Sequence, residues 1–301
     1  MIYKNTPPRW QNVSLVRKGL GFLLSHNSRI VPNDKLFLSL YFRIYTGQKL
    51  HRASPITFRE KIQWLKLHNC QPECSVMVDK YAVRELVAKK IGSQYLIPSL
   101  GVWESFAEID FSKLPDRFVL KTTHDSGGVW ICRDKRAADF EEARKTLEKR
   151  LKHNYFWKGR ERPYKNVTPR IVAEKLLVPQ AGGDLKDYKI WCFNGRPLLI
   201  QVDSNRFSDH HRNFYDTLWR KQNLTILYPQ TSKADERPGK LDEMLALATE
   251  LSEGFPFLRV DFYYVNEKVF FGELTFHPDG GIASILPVEW DKKLGDLIPV
   301  P

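Results

Sequence analysis

The sequence predicts an α+β fold with at least two lobes. Apolar residues recur at helical spacing through much of residues 11–91. From Phe118 onward, short apolar runs bounded by turn residues replace that spacing and indicate strands. With 301 residues, 42% of them apolar, the chain is long enough to bury a substantial core.

The N-terminal region, residues 1–95, is predicted to be mainly helical. Between residues 11 and 52, apolar positions such as Leu15, Leu20 and Leu36 are interleaved with basic side chains. A segment of this kind packs on its own domain or lies on the surface of an anionic membrane. Both alternatives stay open, and the second predicts peripheral contact with the inner membrane.

Two further helices are predicted before the first strand. Thr57 and Glu60 have the spacing of a capping box, which starts a helix at this point. Another helix is predicted over residues 79–91, with Gly92 as its C-cap.

The second part of the chain is predicted to contain strands and two helices. Asn194-Gly195 lies between two apolar runs and suits a tight hairpin turn. A second hairpin is predicted from LRVDFYYV and KVFFGELTF. The remaining predicted strands are FVLK, GVWIC and RIVAEKLL, and the predicted helices are residues 137–154 and 240–253.

Composition limits the kinds of partner and site. The net charge of +12 favours anionic partners, including nucleotides, acidic glycans and acidic lipid headgroups. No nucleic-acid-binding motif is present, so no nucleic-acid partner is predicted. The four cysteines lack the spacing of a zinc site or a disulfide framework. No apolar run could cross a bilayer and the N-terminus lacks signal-peptide features, so a cytoplasmic protein is predicted.

Two carboxylates in the second predicted hairpin indicate a metal site. Asp261 and Glu273 each lie between apolar neighbours, and direct pairing would place both on one face of the sheet with Thr275 and Arg259. Such pairing is expected to need an odd-length loop, for example residues 266–268. A divalent cation would relieve the repulsion between the carboxylates, and Mg²⁺ binds one or two carboxylates together with phosphate oxygens. Two exposed carboxylates on the wet face of a sheet are the alternative.

A lysine and a glycine loop indicate a phosphate site. Lys121 ends a predicted strand, and Ser126, Gly127 and Gly128 follow in the next turn. Backbone N–H groups in such a loop bind anions, and the lysine adds a point charge. An ordinary turn is the alternative, because no Walker or Rossmann glycine pattern is present.

A third stretch could recognise adenine. Glu174 ends a predicted strand, and the backbone of Lys175, Leu176 and Leu177 could meet the edge of the base. Asp187 and Lys189 follow on the next strand, and Arg206 comes after the strand beyond it. Lys189 could equally be a solvent-facing lysine of a strand, and Arg206 an ordinary loop arginine.

The order of these elements resembles the ATP-grasp fold, and more narrowly the TupA-like ATP-grasp family of bacterial surface-polysaccharide biosynthesis. The resemblance covers about residues 55–281. It implies a helical N-terminal region (1–95), a small β-rich lid subdomain (96–177) and a C-terminal α+β subdomain (178–301) that holds the metal carboxylates. The matching stretches are TFREKIQWLKL, VDKYAVRELVAKKIGSQYLIPSLGVW, LPDRFVLKTTHDSGG, RIVAEKLL, DYKIWCFNGRP and FGELTFHPDGG.

The same resemblance implies ATP and Mg²⁺ as cofactors and assigns a role to each candidate residue. The implied catalytic residues are Lys121, Lys189 and Arg206. The implied nucleotide contacts are Lys80, Lys121, Ser126, Gly127, Gly128, Glu174, Lys175, Leu176, Leu177, Asp187 and Lys189. The implied metal ligands are Asp261, Glu273 and Thr275, where Thr275 stands in place of the asparagine that many relatives have.

The activity implied by the resemblance is ATP-dependent ligation of a carboxylate to an amine through an acylphosphate. An acidic sugar or glycan and an amino acid or amino sugar are the implied substrates. A kinase-like phosphotransferase with the same nucleotide site is the rival enzyme, and a basic scaffold that binds glycan or membrane is the rival without catalysis. The products separate the enzymes, since a ligase leaves an amide and free phosphate.

Overall fold

Helices form the N-terminal part of the computed structural model, which describes residues 15–26, 28–69, 71–180, 182, 185–205 and 209–300. They are α1 (Leu15–His26), α2 (Asp34–Thr46), α3 (Phe58–His68), α4 (Glu73–Val78) and α5 (Val83–Lys90). The helices predicted within residues 11–52 are confirmed as α1 and α2, while residues 11–14 lie outside the described residues. No helix in the described part of the chain has the length and apolar character needed to span a bilayer.

Local capping signals set the ends of these helices. Thr57 and Glu60 form the predicted capping box at the start of α3. The helix predicted from Asp79 onward begins later, because the Asp79 carboxylate accepts a hydrogen bond from the backbone N–H of Tyr81 at 2.8 Å and holds a turn before α5. Gly92 follows α5 with a φ of 106°, which favours glycine at the end of this helix.

The first sheet has four antiparallel strands in the order β1-β4-β2-β3. Its strands are β1 (Ser99–Trp103), β2 (Phe118–Thr122), β3 (Val129–Cys132) and β4 (Ile171–Lys175). One face packs on α6 (Phe140–Leu151), where Phe118, Leu120 and Trp130 meet Leu147 in a buried cluster. Because side chains alternate along a strand, Lys121 and Glu174 lie on the opposite face.

The second sheet has five antiparallel strands in the order β10-β9-β5-β6-β7. Its strands are β5 (Asp187–Phe193), β6 (Arg196–Ser204), β7 (His211–Tyr215), β9 (Phe257–Val265) and β10 (Lys268–Thr275). One face packs on α8 (Leu241–Ser252), with Ile190 and Val260 among the buried contacts. The other face carries aromatic side chains that pack on α3 at one end and charged side chains at the other.

Short elements complete the described structure, and their bounds are α7 (Phe156–Gly159), β8 (Thr225–Ile226), β11 (Ile285–Leu286) and α9 (Glu289–Asp296). The α+β class predicted from the sequence is confirmed. The predicted strands all form, and the helices predicted over residues 137–154 and 240–253 form as α6 and α8. Three cysteines, Cys74, Cys132 and Cys192, are free and buried, and Cys70 lies outside the described residues.

Both predicted hairpins of the second sheet form, but the loop of the second differs from the prediction. Asn194 and Gly195 both have positive φ, as a tight primed turn requires. The loop of the β9–β10 hairpin contains only Asn266 and Glu267, because Lys268 already pairs with Val265. The expected three-residue loop is therefore wrong.

Candidate active site

A cavity of about 310 Å³ lies between the charged faces of the two sheets. It collects most of the predicted site residues from both parts of the chain. These are Lys80, Lys121, Ser126, Gly127, Glu174, Lys175, Leu176, Leu177, Asp187, Lys189, Asp261 and Glu273. Gly128 and Thr275 do not line the cavity, and Arg206 lies outside the described residues.

Lys121 forms an ion pair with Glu174 across neighbouring strands. Its Nζ lies 2.6 Å from Glu174 Oε2, and the side chains are 16% and 9% exposed. Arg84 approaches the same carboxylate, with Nη1 3.4 Å from Oε1. Glu174, predicted to contact adenine or ribose, is thus held between two cations on the wall of the cavity.

The glycine loop after β2 is attached to the protein at its base and exposed at its tip. The Thr122 hydroxyl donates to Asp125 Oδ1, and Arg150 Nη1 lies 3.4 Å from Asp125 Oδ2. Ser126 and Gly127 are exposed, and Gly127 has a φ of 99°. The backbone at the tip therefore faces the cavity, and the buried residues Thr122 and Asp125 hold the loop beneath it.

Gly128 closes this loop without lining the cavity. Its carbonyl oxygen accepts a hydrogen bond from the backbone N–H of Thr122 at 2.8 Å. A Cβ at this position would lie 1.8 Å from Thr122 Oγ1 and 2.8 Å from Asp125 Oδ1. Glycine is needed here because the chain approaches two buried side chains too closely for any other residue.

Lys80 supports the loop from the segment before α5. Its backbone N–H donates to the carbonyl oxygen of Thr123 at 3.1 Å, and its Nζ donates to the carbonyl oxygen of Asp125. The ammonium group lines the cavity as well. Lys80 thus combines a positive charge in the cavity with an anchor for the glycine loop.

The predicted adenine-binding stretch lies at the exit of β4. The backbone N–H of Lys175 is used within the protein, donating to the Pro98 carbonyl oxygen at 3.0 Å. The chain then leaves the sheet, and Leu176 and Leu177 line the cavity. An apolar wall adjoins them, formed by Ile97, Val119, Val129, Ile131, Val178, Pro179 and Leu185. Such a surface suits a planar aromatic ligand.

Lys189 lies between two carboxylates on the second sheet. Its Nζ is 2.7 Å from Asp187 Oδ2 and 2.6 Å from Asp261 Oδ2. Asp187 is two residues earlier on the same strand, and Asp261 pairs directly with Lys189 across β5 and β9. The lysine thus neutralises the two carboxylates on either side of it, and the charge-assisted hydrogen bonds hold all three largely buried groups in place.

Asp261 and Glu273 pair directly, the condition on which the expected metal site depends, but a bulge and not the loop length sets their register. The two-residue hairpin loop alone would pair Asp261 with Gly272. A bulge between Phe271 and Glu273 inserts Gly272 as an extra residue and moves Glu273 opposite Asp261. A Cβ on Gly272 would lie 3.0 Å from the Asp261 carbonyl oxygen, so the close approach of the strands favours glycine.

Arg259 connects the predicted metal residues. Its Nε is 2.7 Å from Asp261 Oδ1, and its Nη2 is 3.3 Å from Glu273 Oε1 and 3.0 Å from Thr275 Oγ1. Burial would lower the pKa of Arg259, but the carboxylates of Asp261 and Glu273 outweigh that effect and raise the pKa. The Thr275 hydroxyl therefore accepts from a permanently charged guanidinium group.

Glu273 is the more accessible of the two carboxylates, with 42% of its side chain exposed. Loss of water around it would raise its pKa. The positive charges of Lys80, Lys189 and Arg259 outweigh that effect and hold the pKa of Glu273 below its usual value of 4.5. The carboxylate is thus ionised at neutral pH and available to a cation.

The donor set fits Mg²⁺. Asp261 and Glu273 supply carboxylate oxygens on adjacent strands, and both line the cavity. Among the described residues there is no group of three or more histidine, cysteine, aspartate or glutamate side chains that could hold a metal ion. Mg²⁺ does not need one, since it uses one or two carboxylates and completes its octahedron with phosphate oxygens and water.

Arg133 and Tyr263 also line the cavity, although neither was predicted from the sequence. Arg133 follows Val129 and Ile131 at two-residue spacing, so the alternation along β3 places it on the same face as Lys121. Tyr263 pairs directly with Asp187 across β9 and β5. Alternation could have identified both residues, but neither carried a distinctive motif.

A second ionic group continues the charged face of the five-stranded sheet. Arg212 pairs with Asp203 between β7 and β6, with Nε 2.7 Å from Oδ1, and its Nη1 lies 3.3 Å from Asp279 Oδ2. Asp279 has a φ of 50° in the HPDGG stretch. The buried Lys66 donates to the Gly280 carbonyl oxygen at 2.8 Å and fixes this loop.

Comparison with known proteins gives one family match. A family model described as TupA-like ATPgrasp matches residues 60–299. No curated protein matches the chain.

Solved structures similar to the chain include two D-alanine–D-alanine ligases and a D-cycloserine synthetase. The ligase from Bacillus anthracis complexed with ATP is 16% identical, with a TM-score of 0.43 and coverage of 74% of this chain and 63% of that chain. The ligase from Helicobacter pylori is 14% identical, with a TM-score of 0.45 and coverage of 82% and 68%. D-cycloserine synthetase DcsG is 12% identical, with a TM-score of 0.43 and coverage of 75% and 70%.

Proposed function

Because the chain belongs to the TupA-like ATP-grasp family, we propose that it is an ATP-dependent carboxylate–amine ligase. The family match confirms the predicted family and the ATP-grasp fold. One observation carries the proposal: a single cavity collects Lys121, Glu174, Lys189, Asp261 and Glu273 from two antiparallel sheets. We further propose the predicted division into an N-terminal region, a lid subdomain and a C-terminal subdomain.

ATP occupies the cavity in this proposal, with its base and phosphates at different walls. The apolar wall beside Leu176 and Leu177 receives the adenine, and Glu174 contacts the base or the ribose. Lys121 and Lys189 face the phosphates from the two sheets. The exposed tip at Ser126 and Gly127 adds backbone N–H groups, which bind phosphate oxygens well in turns of this kind.

Magnesium is held by Asp261 and Glu273, whose oxygens suit that ion. When bound, Mg²⁺ neutralises phosphate charge and orients the triphosphate. Lys189 and Arg259 already bind the Asp261 carboxylate, and they fix it in position. Thr275 supports the site through Arg259, which makes it a positioning residue in this structure.

The proposed reaction has two steps. A substrate carboxylate oxygen attacks the γ-phosphorus of ATP, the bond to the β-phosphate oxygen breaks, and ADP and an acylphosphate form. The amine nitrogen then attacks the acyl carbon, inorganic phosphate leaves and the amine loses a proton. The ammonium groups of Lys121 and Lys189 offset the charge on the transferring phosphoryl group. Arg206, outside the described residues, is proposed to assist them.

Water must be excluded from the site, because an acylphosphate hydrolyses in water. Thr122 and Asp125 are buried and fix the base of the glycine loop. The exposed tip of the loop is the part that closes over the cavity in this proposal. A loop that closes on its ligand excludes water in this way.

The proposed substrates are an acidic sugar, such as a uronic acid of a bacterial capsule or other surface glycan, and an amine from an amino acid or amino sugar. The net charge of +12 supports an acidic substrate. Several uronic acids and several amines are therefore screened as substrates.

The test uses carboxylates labelled with ¹⁸O. Purified protein, Mg²⁺ and ATP are incubated with pairs of uronic acids and amines, and mass spectrometry follows the products. A ligase yields an amide and inorganic phosphate that carries one ¹⁸O atom from the carboxylate. A phosphorylated sugar formed without free phosphate would instead identify a phosphotransferase. Glu273→Gln protein serves as the control for contaminating ATPases.

A further inference from the structure

Large apolar side chains are exposed on the α1–α2 segment. Among the described residues, thirteen large hydrophobic side chains are exposed, and six of them lie between residues 20 and 40. Their exposed fractions are 48% for Leu20, 58% for Phe22, 56% for Leu23, 75% for Ile30, 54% for Leu36 and 40% for Leu40. Such a concentration on one short segment indicates an interaction surface.

The segment is firmly held by its other face. Phe37, Leu38, Tyr41 and Phe42 of α2 are buried. Arg160 donates to the carbonyl oxygens of Ser28 and Val31 at 2.6 and 2.7 Å. Its guanidinium also lies 4.4 Å from the centre of the Phe37 ring. The chain between α1 and α2 is therefore pinned to the core, while Ile30 stays exposed.

The exposed leucines of α2 lie on one side of the helix. Leu36 and Leu40 are four residues apart, and Arg43 follows three residues later, so all three share a face. All three are exposed. This face therefore presents two leucines beside an arginine, which is the pattern of a helix that lies in a membrane interface.

The α1–α2 segment and the residues that follow it up to Arg52 together carry half of the net charge of the chain. Residues 15–52 contain seven lysine and arginine residues and one acidic residue, a net of +6 out of +12. The acidic residue, Asp34, is engaged by Arg160 Nε at 3.2 Å and Arg162 Nη2 at 3.4 Å. Six of the basic residues are exposed: Arg17, Arg29, Lys35, Arg43, Lys49 and Arg52.

We propose that the α1–α2 segment docks the protein on an anionic phospholipid bilayer. The apolar side chains enter the interface between headgroups and acyl chains, and the basic side chains bind lipid phosphates. Charge decides against a second copy of the chain as the occupant, because two surfaces of +6 would repel each other. The proposal is independent of the reaction proposed above.

The test measures cosedimentation of the full chain with vesicles. One set contains equal amounts of phosphatidylcholine and phosphatidylglycerol, and the other contains phosphatidylcholine alone. We expect binding to the anionic vesicles that weakens as salt is raised, because screening reduces attraction to the surface. Absence of binding, or equal binding to both sets, would overturn the proposal.

Matched variants assign the binding to this segment. The Ile30→Ser, Leu36→Ser double variant removes two side chains that are 75% and 54% exposed, and we expect its vesicle affinity to fall about tenfold or more. The control is Leu218→Ser, Val288→Ser, which removes side chains that are 71% and 68% exposed elsewhere. Two results would contradict binding of this segment to a bilayer. One is equal vesicle affinity for wild type, the double variant and the control, and the other is a wild-type dimer that the double variant abolishes. Thermal melts check that both variants fold.

Discussion

Replacement of Lys121 by methionine separates its proposed role in nucleotide binding from its role in the fold. The sequence alone suggests a variant of unchanged stability, since methionine keeps the apolar stem of the side chain. The structure predicts a cost, because Lys121 is the closest partner of Glu174. Without it, Arg84, at 3.4 Å, is the cation that remains beside the nearly buried carboxylate within the described residues.

The magnitudes follow from this geometry. Loss of the pair should destabilise the protein by about 1–3 kcal/mol, less than for a carboxylate left with no partner. For a chain of this size, that lowers the melting temperature by several degrees. Loss of a charge-assisted phosphate contact should weaken ATP binding by about ten- to a hundredfold.

The assay combines calorimetric titration with ATP-γ-S and thermal melts of four proteins: wild type, Lys121→Met, Glu174→Gln and the double variant. The double variant removes the unpaired charge, so we expect its melting temperature to recover while its ATP affinity stays low. Equal dissociation constants for wild type and Lys121→Met would refute a phosphate contact. Recovery of affinity in the double variant would assign the defect to Glu174 instead.

Three other changes test separate parts of the site. Glu273→Gln should abolish magnesium-dependent turnover. Because the pKa of Glu273 is lowered, wild-type protein should lose magnesium only as the pH falls below 4.5. Magnesium titrations of both proteins across pH check these expectations, and loss of magnesium by the wild type already near pH 6 would contradict them. Gly128→Ala should reduce both stability and ATP affinity, because its Cβ would collide with Thr122 Oγ1; a wild-type melting curve would show that the loop relaxes. Arg133→Gln should weaken ATP binding without a change in melting temperature, since Arg133 lines the cavity and is exposed; unchanged affinity would exclude it from the nucleotide site.

Most of the longer helices and strands were predicted, because periodicity records which face of each element is buried, but β1 and β7 were not predicted. The capping box at Thr57 and the turn at Asn194-Gly195 are local signals, and both form as expected. The register between β9 and β10 was harder to predict from the sequence. Direct pairing of Asp261 with Glu273, on which the expected metal site depended, does form, but it arises from a bulge at Gly272 and not from an odd-length loop.

Local sequence patterns did not predict contacts between residues that are far apart in the chain. The place of Lys121 at a strand end before the glycine loop predicted a phosphate site, but nothing local indicated that Glu174, 53 residues later, would pair with it. Likewise, Arg259 was expected on the carboxylate face, yet its bonds to Asp261 and Thr275 depend on strand register. Pairing partners depend on tertiary packing, and a single sequence does not specify them.

Hydrogen exchange with and without the ATP analogue AMP-PNP and Mg²⁺ tests the central claim that the cavity between the two sheets holds the nucleotide. We expect new protection at the loop tip, residues 126–127, and at residues 176–179 beyond β4, where the chain lines the cavity. Thr122 to Asp125 should change little, because they are already buried. The Glu273→Gln variant should lose the magnesium-dependent part of the protection. Binding of the nucleotide with no protection at either stretch, or with protection only elsewhere in the chain, would contradict the account.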